Sequence, residues 1–391
     1  MSTSGLMRFL QLRWIGQHRL RAYSVILFLG SLVSIPWAWH EAMGPIGSDF
    51  LAFWSAGRLV VEGAAASAYD TQAAFAVQAA LGRNHVFAFV NPPPFLFLAA
   101  PLGLLSYKWA WLAWVVATFG FWFAMAREWD RTFAWPIAAY PGALVAAWHA
   151  QTGLLTGGFM AGAASLLRKR PFTAGLCVGA LVIKPHLAVL FPIAFAAGRQ
   201  WRAFAGAAVS AVGLVLLAWI AFGTDTMLAY PQSWAISREL MDKASTVFLL
   251  RQTTVYAAVR VATSADVATA AQGFATVLAA VVTWRAWSRP GPAEGKLALL
   301  FAAAPLATPY LFSYDLPFLV IPTIWLARQA RTLRDRPWER PLVLFFYVSP
   351  MFARALALPL GANIMPWLQV WMLWVVWRRL EASAAQPDTA G

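Results

Sequence analysis

Apolar segments recur along the whole chain, and short basic runs separate them. They fall near residues 22–40, 92–106, 107–126, 132–149, 153–167, 171–198, 201–221, 267–287, 297–313, 316–328, 341–360 and 364–378, about twelve in all. A bilayer admits only elements that satisfy their own backbone polar groups, so a chain written this way folds as a bundle of helices. Several segments are short or carry proline, which is tolerated where helices pack on protein rather than on lipid. Composition agrees: 60% of residues are hydrophobic and 12% charged, against roughly 25% charged in a soluble domain. The expected fold is an all-α polytopic membrane protein forming a single domain over residues 1–391.

The net charge of +14 raises nucleic acid as a partner. Its distribution argues against that. The basic residues sit in runs between apolar segments: "RKR" at 168–170, "GRQWR" at 198–202, "RQARTLRDRPWER" at 328–340, then Arg378 and Arg379. Such runs hold the cytoplasmic side of a membrane protein. Arg8, Arg13, Arg19 and Arg21 precede the first apolar segment, which ends without a small-residue cleavage site. That segment reads as a retained first span with a cytoplasmic N-terminus. Residues 380–391 then form a cytoplasmic tail, and 41–91 and 222–266 are long outer loops.

One run conflicts with the others. If 171–198 crosses once, parity puts "RKR" outside and "GRQWR" inside. If Lys184-Pro185 is instead the tip of a hairpin, both runs lie inside, and one further segment must fail to cross.

Few residues invite chemistry. The single cysteine, Cys177, has no disulfide or metal partner. No phosphate-binding glycine loop, HExxH or tight acidic cluster occurs, so neither a cofactor nor a metal is expected. In the first outer loop, "DFLAFWSAGRLVVEG" places Phe50, Phe53, Trp54 and Gly57 on one helical face, which suits a helix in the interface plane. Asp49 opens that helix, either as an N-cap or as a general base. "FVNPPPFLFLAAPLGLLS" at 89–106 enters through a rigid triple proline. "AGLCVGALVIKPHLAVLFP" at 174–192 buries Lys184 and His186. A lysine at membrane depth costs about 2.5–3.5 kcal/mol on insertion scales, so it marks a functional position unless it snorkels out. "ATPYLFSYDLPFLVIP" at 307–322 sets Tyr310, Tyr314 and Asp315 in an outer turn, and His149 and Gln151 in "WHAQTG" read as turn residues.

Taken together and in this order, "GSDFLAFWSAGRLVVEG…AYD", "NPPPFLFLAAPLGLLS", "AGLCVGALVIKPHLAVL", "GRQWRAFAG" and "TPYLFSYDLPFLVIP" resemble glycosyltransferase family 87. Its characterised members are polyprenol-phosphate-mannose-dependent mannosyltransferases, and the resemblance covers roughly 45–325. It implies a GT-C-type bundle with exoplasmic amphipathic helices. It also implies inverting transfer of a hexose, mannose in those members, from a polyprenyl-phosphate donor to a glycolipid or glycan acceptor. The setting would be a bacterial inner (plasma) membrane, with membrane lipids around the chain and the site on the periplasmic side. Asp49 matches the family's catalytic aspartate, Lys184-Pro185 its Lys-Pro position, and Asp315 the aspartate of its "SPHY…YD" stretch. Tyr310 stands where a histidine is common, which puts mannose in doubt. Lys184, His186, Arg251, Tyr310 and Asp315 are the expected binders of donor phosphate or substrate. A transporter or flippase of lipid-linked sugars, and a non-catalytic envelope scaffold, are the competing readings. The chain lacks the matched broken halves that transporters often show.

Overall fold

The computed structural model describes residues 7, 9–242, 245–332 and 338–384. The middle of the 328–340 run and the tail beyond 384 therefore lie outside the described residues. Among those described, the chain is helical throughout, with one isolated antiparallel bridge between Gln252 and Phe312.

Four helices are long and apolar enough to cross a bilayer alone: Gln17–Met43, Tyr107–Arg127, Trp201–Ala229 and Ala265–Ser288. The rest of the bundle uses shorter or broken pieces, which their burial permits. Ala134–Ala138 and Pro141–His149 share one passage. Gly153–Leu166 forms the next, and Ala293–Ala303 continues in a 3-10 turn to Ala307. Ser313–Leu319 runs into Val320–Thr332. Glu339–Leu360 and Met365–Ala384 complete the bundle.

One end of these passages is basic. Arg328 pairs there with Glu294 and lies 3.8 Å from Asp130; Arg168 lies 3.9 Å from the same Glu294. Arg379 pairs with Glu339 on that side, and Trp287 donates to the Lys296 carbonyl. The opposite end gathers Asp49, the prolines at 92–94, Lys184 and the 308–315 turn.

The conflict over "RKR" is settled by backbone register. A Cβ added to Gly175 would sit 2.0 Å from the Ala203 carbonyl oxygen, and one on Gly179 would sit 2.3 Å from that of Ala207. Pro171–Gly179 and Trp201–Ala229 therefore run parallel, in direct backbone contact. Their starts, and so both basic runs, lie on one face. The chain between must go in and come back: Pro171–Gly179 and a 3-10 turn to Ile183 rise to Lys184, and Pro185–Ala188 with Leu190–Ala197 return. Gly198 closes the return against the Trp287 ring.

The segment at 92–106 also fails to cross. Its helix, Leu96–Gly103, lies against Phe50–Val61 on the face opposite the basic one, with Trp54 donating to the Leu105 carbonyl and Arg58 to that of Gly103. The 92–106 segment stays on one face and the hairpin starts and ends on the other, so both ends of the described chain lie on the basic face. The all-α membrane fold is as expected, while the expected count of about twelve spans is not confirmed, four of the described helices being long and apolar enough to cross alone. Both segments are apolar because they bury against protein, which hydropathy alone does not distinguish from lipid.

Phe50–Val61 departs from expectation as well. Phe50, Phe53, Trp54 and Gly57 are buried, and so are Leu51, Ala52, Ser55, Ala56 and Leu59. The helix is packed on both sides rather than floating in the interface. Its aromatic rings join Phe95, Tyr107 and Trp114 in a cluster with centroids 4.7–6.3 Å apart.

Candidate active site

Asp49 is held by its approach. Gly47 turns the chain at φ +80°, a conformation that a side chain resists. Ser48 hydrogen-bonds the Tyr107 hydroxyl at 3.2 Å, and that hydroxyl donates to the Ala42 carbonyl. Arg83 reaches the Met43 carbonyl at 3.2 Å and lies over the Tyr107 ring. Asp49 itself has φ −53° and ψ −20°, already helical, and its side chain caps nothing. A capping residue needs an extended backbone to fold its oxygen back onto the first turn. Asp70 and Asp130 have that backbone and do cap, accepting from Gln72 at 2.7 Å and from Thr132 at 3.0 Å. The N-cap reading of Asp49 is therefore not met. Its half-buried carboxylate has no hydrogen-bond or ion-pair partner among the described residues.

Lys184 and Asp315 meet. Pro185 disfavours helix at the residue before it, and Lys184 takes φ −151° and ψ 68° where two short 3-10 turns join. From this break its Nζ reaches Asp315 Oδ1 at 2.5 Å and Thr152 Oγ1 at 3.4 Å. Lys184 does not snorkel: its side chain is 10% exposed, and Asp315 is wholly buried. The second carboxylate oxygen of Asp315 accepts from the Phe312 backbone N–H at 3.1 Å, closing the start of the Ser313–Leu319 helix. Gly153 allows that turn in, since a Cβ there would lie 1.8 Å from the Tyr314 carbonyl oxygen.

Around the pair lies an aromatic wall. Tyr310, Phe312 and Tyr314 follow one another with ring centroids 5.2 and 5.1 Å apart. The Lys184 ammonium sits 5.7 Å from the Tyr314 ring, and His186 meets Tyr310 edge-on at 6.3 Å. His186 Nε2 is buried with no hydrogen-bond partner among the described residues. The Tyr310 phenol lies within electrostatic range of Asp315 and, more weakly, of Asp49.

Arg251 arrives from a third segment. Thr253 donates its backbone N–H to the Leu311 carbonyl at 2.7 Å, and Gln252 bridges Phe312. These contacts dock the 251–254 strip against the 310–312 strip and leave the Arg251 side chain exposed. The fold thus brings Asp49, Lys184, His186, Tyr310 and Asp315 together, with Arg251 on the adjoining strip.

Sequence reasoning undervalued His149 and passed over Asn91. The His149 ring lies 5.4 Å from that of Tyr314, held by an Nδ1 contact to the Val145 carbonyl at 2.9 Å. Asn91 donates to the Ile183 carbonyl at 3.3 Å and accepts through its own carbonyl from Tyr69, tying the triple proline to the hairpin tip. Among the described residues no group of three or more His, Cys, Asp or Glu is placed to hold a metal ion.

A carboxylate with no partner beside a neutralised ion pair, an aromatic wall and an exposed guanidinium can take a proton from a hydroxyl and hold an anion nearby. Comparison with known protein families matches residues 89–309, more than half of the chain, to glycosyltransferase family 87. The matched stretch contains Lys184, His186 and Arg251; Asp49 precedes it, and Tyr310 and Asp315 follow it. Neither the curated proteins nor the solved structures yield a match.

Proposed function

Since the chain belongs to glycosyltransferase family 87, and is a helical membrane protein, we propose that it transfers a hexose from a polyprenyl-phosphate carrier to a glycolipid or glycan acceptor, with inversion. The basic face is cytoplasmic, and the face carrying Asp49 is periplasmic in a bacterial inner membrane. On this reading residues 41–91 and 222–266 are outer loops. A nucleotide sugar does not reach that side, so the donor arrives on a lipid whose phosphate sits at headgroup level.

Asp49 takes the proton of the acceptor hydroxyl. The acceptor oxygen bonds to the anomeric carbon from one side as the bond to the carrier phosphate breaks on the other. The phosphate leaves on its polyprenol with the electron pair. Arg251 holds that leaving charge. Lys184 is less suited to this than the sequence implied, because Asp315 already neutralises it. The pair fixes the hairpin tip to the 308–315 turn, where Tyr310 and His186 wall the sugar. The single observation that carries this reading is the unpartnered carboxylate of Asp49 in a site whose other acid is paired.

Turnover by the purified protein of mannosyl, glucosyl and arabinosyl carriers tests it. A hexosyl carrier should be consumed, and Arg251→Ala should raise the carrier concentration required by about tenfold or more, as loss of a charge-assisted contact does. Consumption of none of the three, with acceptors present, counts against the carrier; an unchanged requirement in Arg251→Ala removes that residue from the phosphate site.

A further inference from the structure

The last two helices enclose a feature that the transfer site does not use. Between Glu339–Leu360 and Met365–Ala384, on the basic face, lies an open cavity of about 520 Å³. Its walls are apolar: Leu342, Phe345, Trp371 and Trp374, with Trp338 at the rim. Trp371 and Trp374 are 42% and 56% exposed, so their faces are not consumed by packing.

Two arginines stand at the rim and differ. Arg379 is buried and paired with Glu339. Arg378 lies 6.0 Å from the centre of the Trp374 ring and has no carboxylate partner among the described residues. The cavity therefore offers one uncompensated guanidinium above a wall of rings and aliphatic chains. Trp338 and Trp374 are both exposed, and exposed indoles of this kind commonly mark the membrane–water boundary.

We propose that this cleft seats an anionic glycerophospholipid, its phosphate on Arg378 and one acyl chain along Phe345, Trp371 and Trp374. Charge decides the occupant. A zwitterionic headgroup brings its own cation toward Arg378. A second helix would leave that guanidinium buried without a counter-charge, at high cost. An anionic lipid satisfies both the cation and the apolar wall, as basic pockets between membrane helices do elsewhere.

Native mass spectrometry of the full-length protein in detergent, offered phosphatidylglycerol and phosphatidylcholine of matched chains, reads the occupancy. The wild type should retain phosphatidylglycerol in preference, by about fivefold for one basic contact. Arg378→Ala should abolish the preference. Arg378→Lys should keep most of it, which shows that the site survives substitution. Arg285→Ala, on the same face and outside the cleft, should change nothing. Equal retention of both lipids by the wild type overturns the proposal, as does an undiminished preference in Arg378→Ala or an equal loss in Arg378→Lys. Displacement of the lipid by millimolar inorganic phosphate also overturns it, by showing a site for the free ion.

Discussion

Asp49 and Asp315 stand on the same face of the bundle, and both lie within electrostatic range of the Tyr310 phenol. Their surroundings are opposite. Asp315 is wholly buried, with one oxygen on Lys184 and the other on the Phe312 N–H, so its charge is compensated within the fold. Asp49 is half-buried at the end of a loop held by Gly47, Tyr107 and Arg83, and its oxygens are unused among the described residues. The contrast separates two jobs that a sequence motif leaves merged. A buried carboxylate neutralised by a lysine organises the fold, and a carboxylate positioned without a partner is available for chemistry.

The sharpest way to break this comparison is to neutralise each acid in turn. Asp49→Asn keeps shape and removes the base, so turnover should fall by about 10²–10⁴-fold while the thermal unfolding of the purified protein stays where it was. Near wild-type turnover would end the assignment of Asp49 as the base. The Lys184 pair should show the reverse pattern. Lys184→Met strands a buried carboxylate, and breaking such a pair costs about 3–5 kcal/mol of stability. Adding Asp315→Asn to that variant should recover a large part of the loss in thermal unfolding, because no buried charge then remains. If Lys184→Met instead unfolds like the wild type and only the donor requirement rises, Lys184 holds the phosphate after all. The smallest effect sharpens the point about caps. Asp70 does cap a helix, so Asp70→Ala should cost about 1 kcal/mol of stability and leave turnover intact.

Lys184 and Asp315 were each legible in the sequence as charges beside apolar runs. Their partnership was not, because 131 residues separate them and no local pattern encodes a contact at that range. The cap alternative at Asp49, one of the two readings the sequence leaves open, fails for a different reason. A short polar residue ahead of a helical pattern predicts a cap, yet capping depends on the backbone angle, which here is set by Gly47 and by distant anchors at Tyr107 and Arg83. The spans at 107–126 and 267–287 were read closely, since lipid-facing helices must be long and apolar. Hydropathy reads 92–106 as a span and leaves 171–198 open between a span and a hairpin, because proteins inside membranes bury apolar surface against themselves as readily as against lipid. The parity conflict over "RKR" did signal that something there failed to cross.

The hairpin carries a consequence for how the protein is made. Its tip is a lysine whose counter-charge lies 131 residues further along the chain. At the usual 5–20 residues per second of synthesis, Asp315 emerges on the order of ten seconds after Lys184. Until then the tip holds an ammonium that membrane depth penalises, so the hairpin settles only when the ninth apolar stretch has been delivered and its following turn can close over it. The pair that closes the candidate site therefore forms late, after most of the bundle has been synthesised.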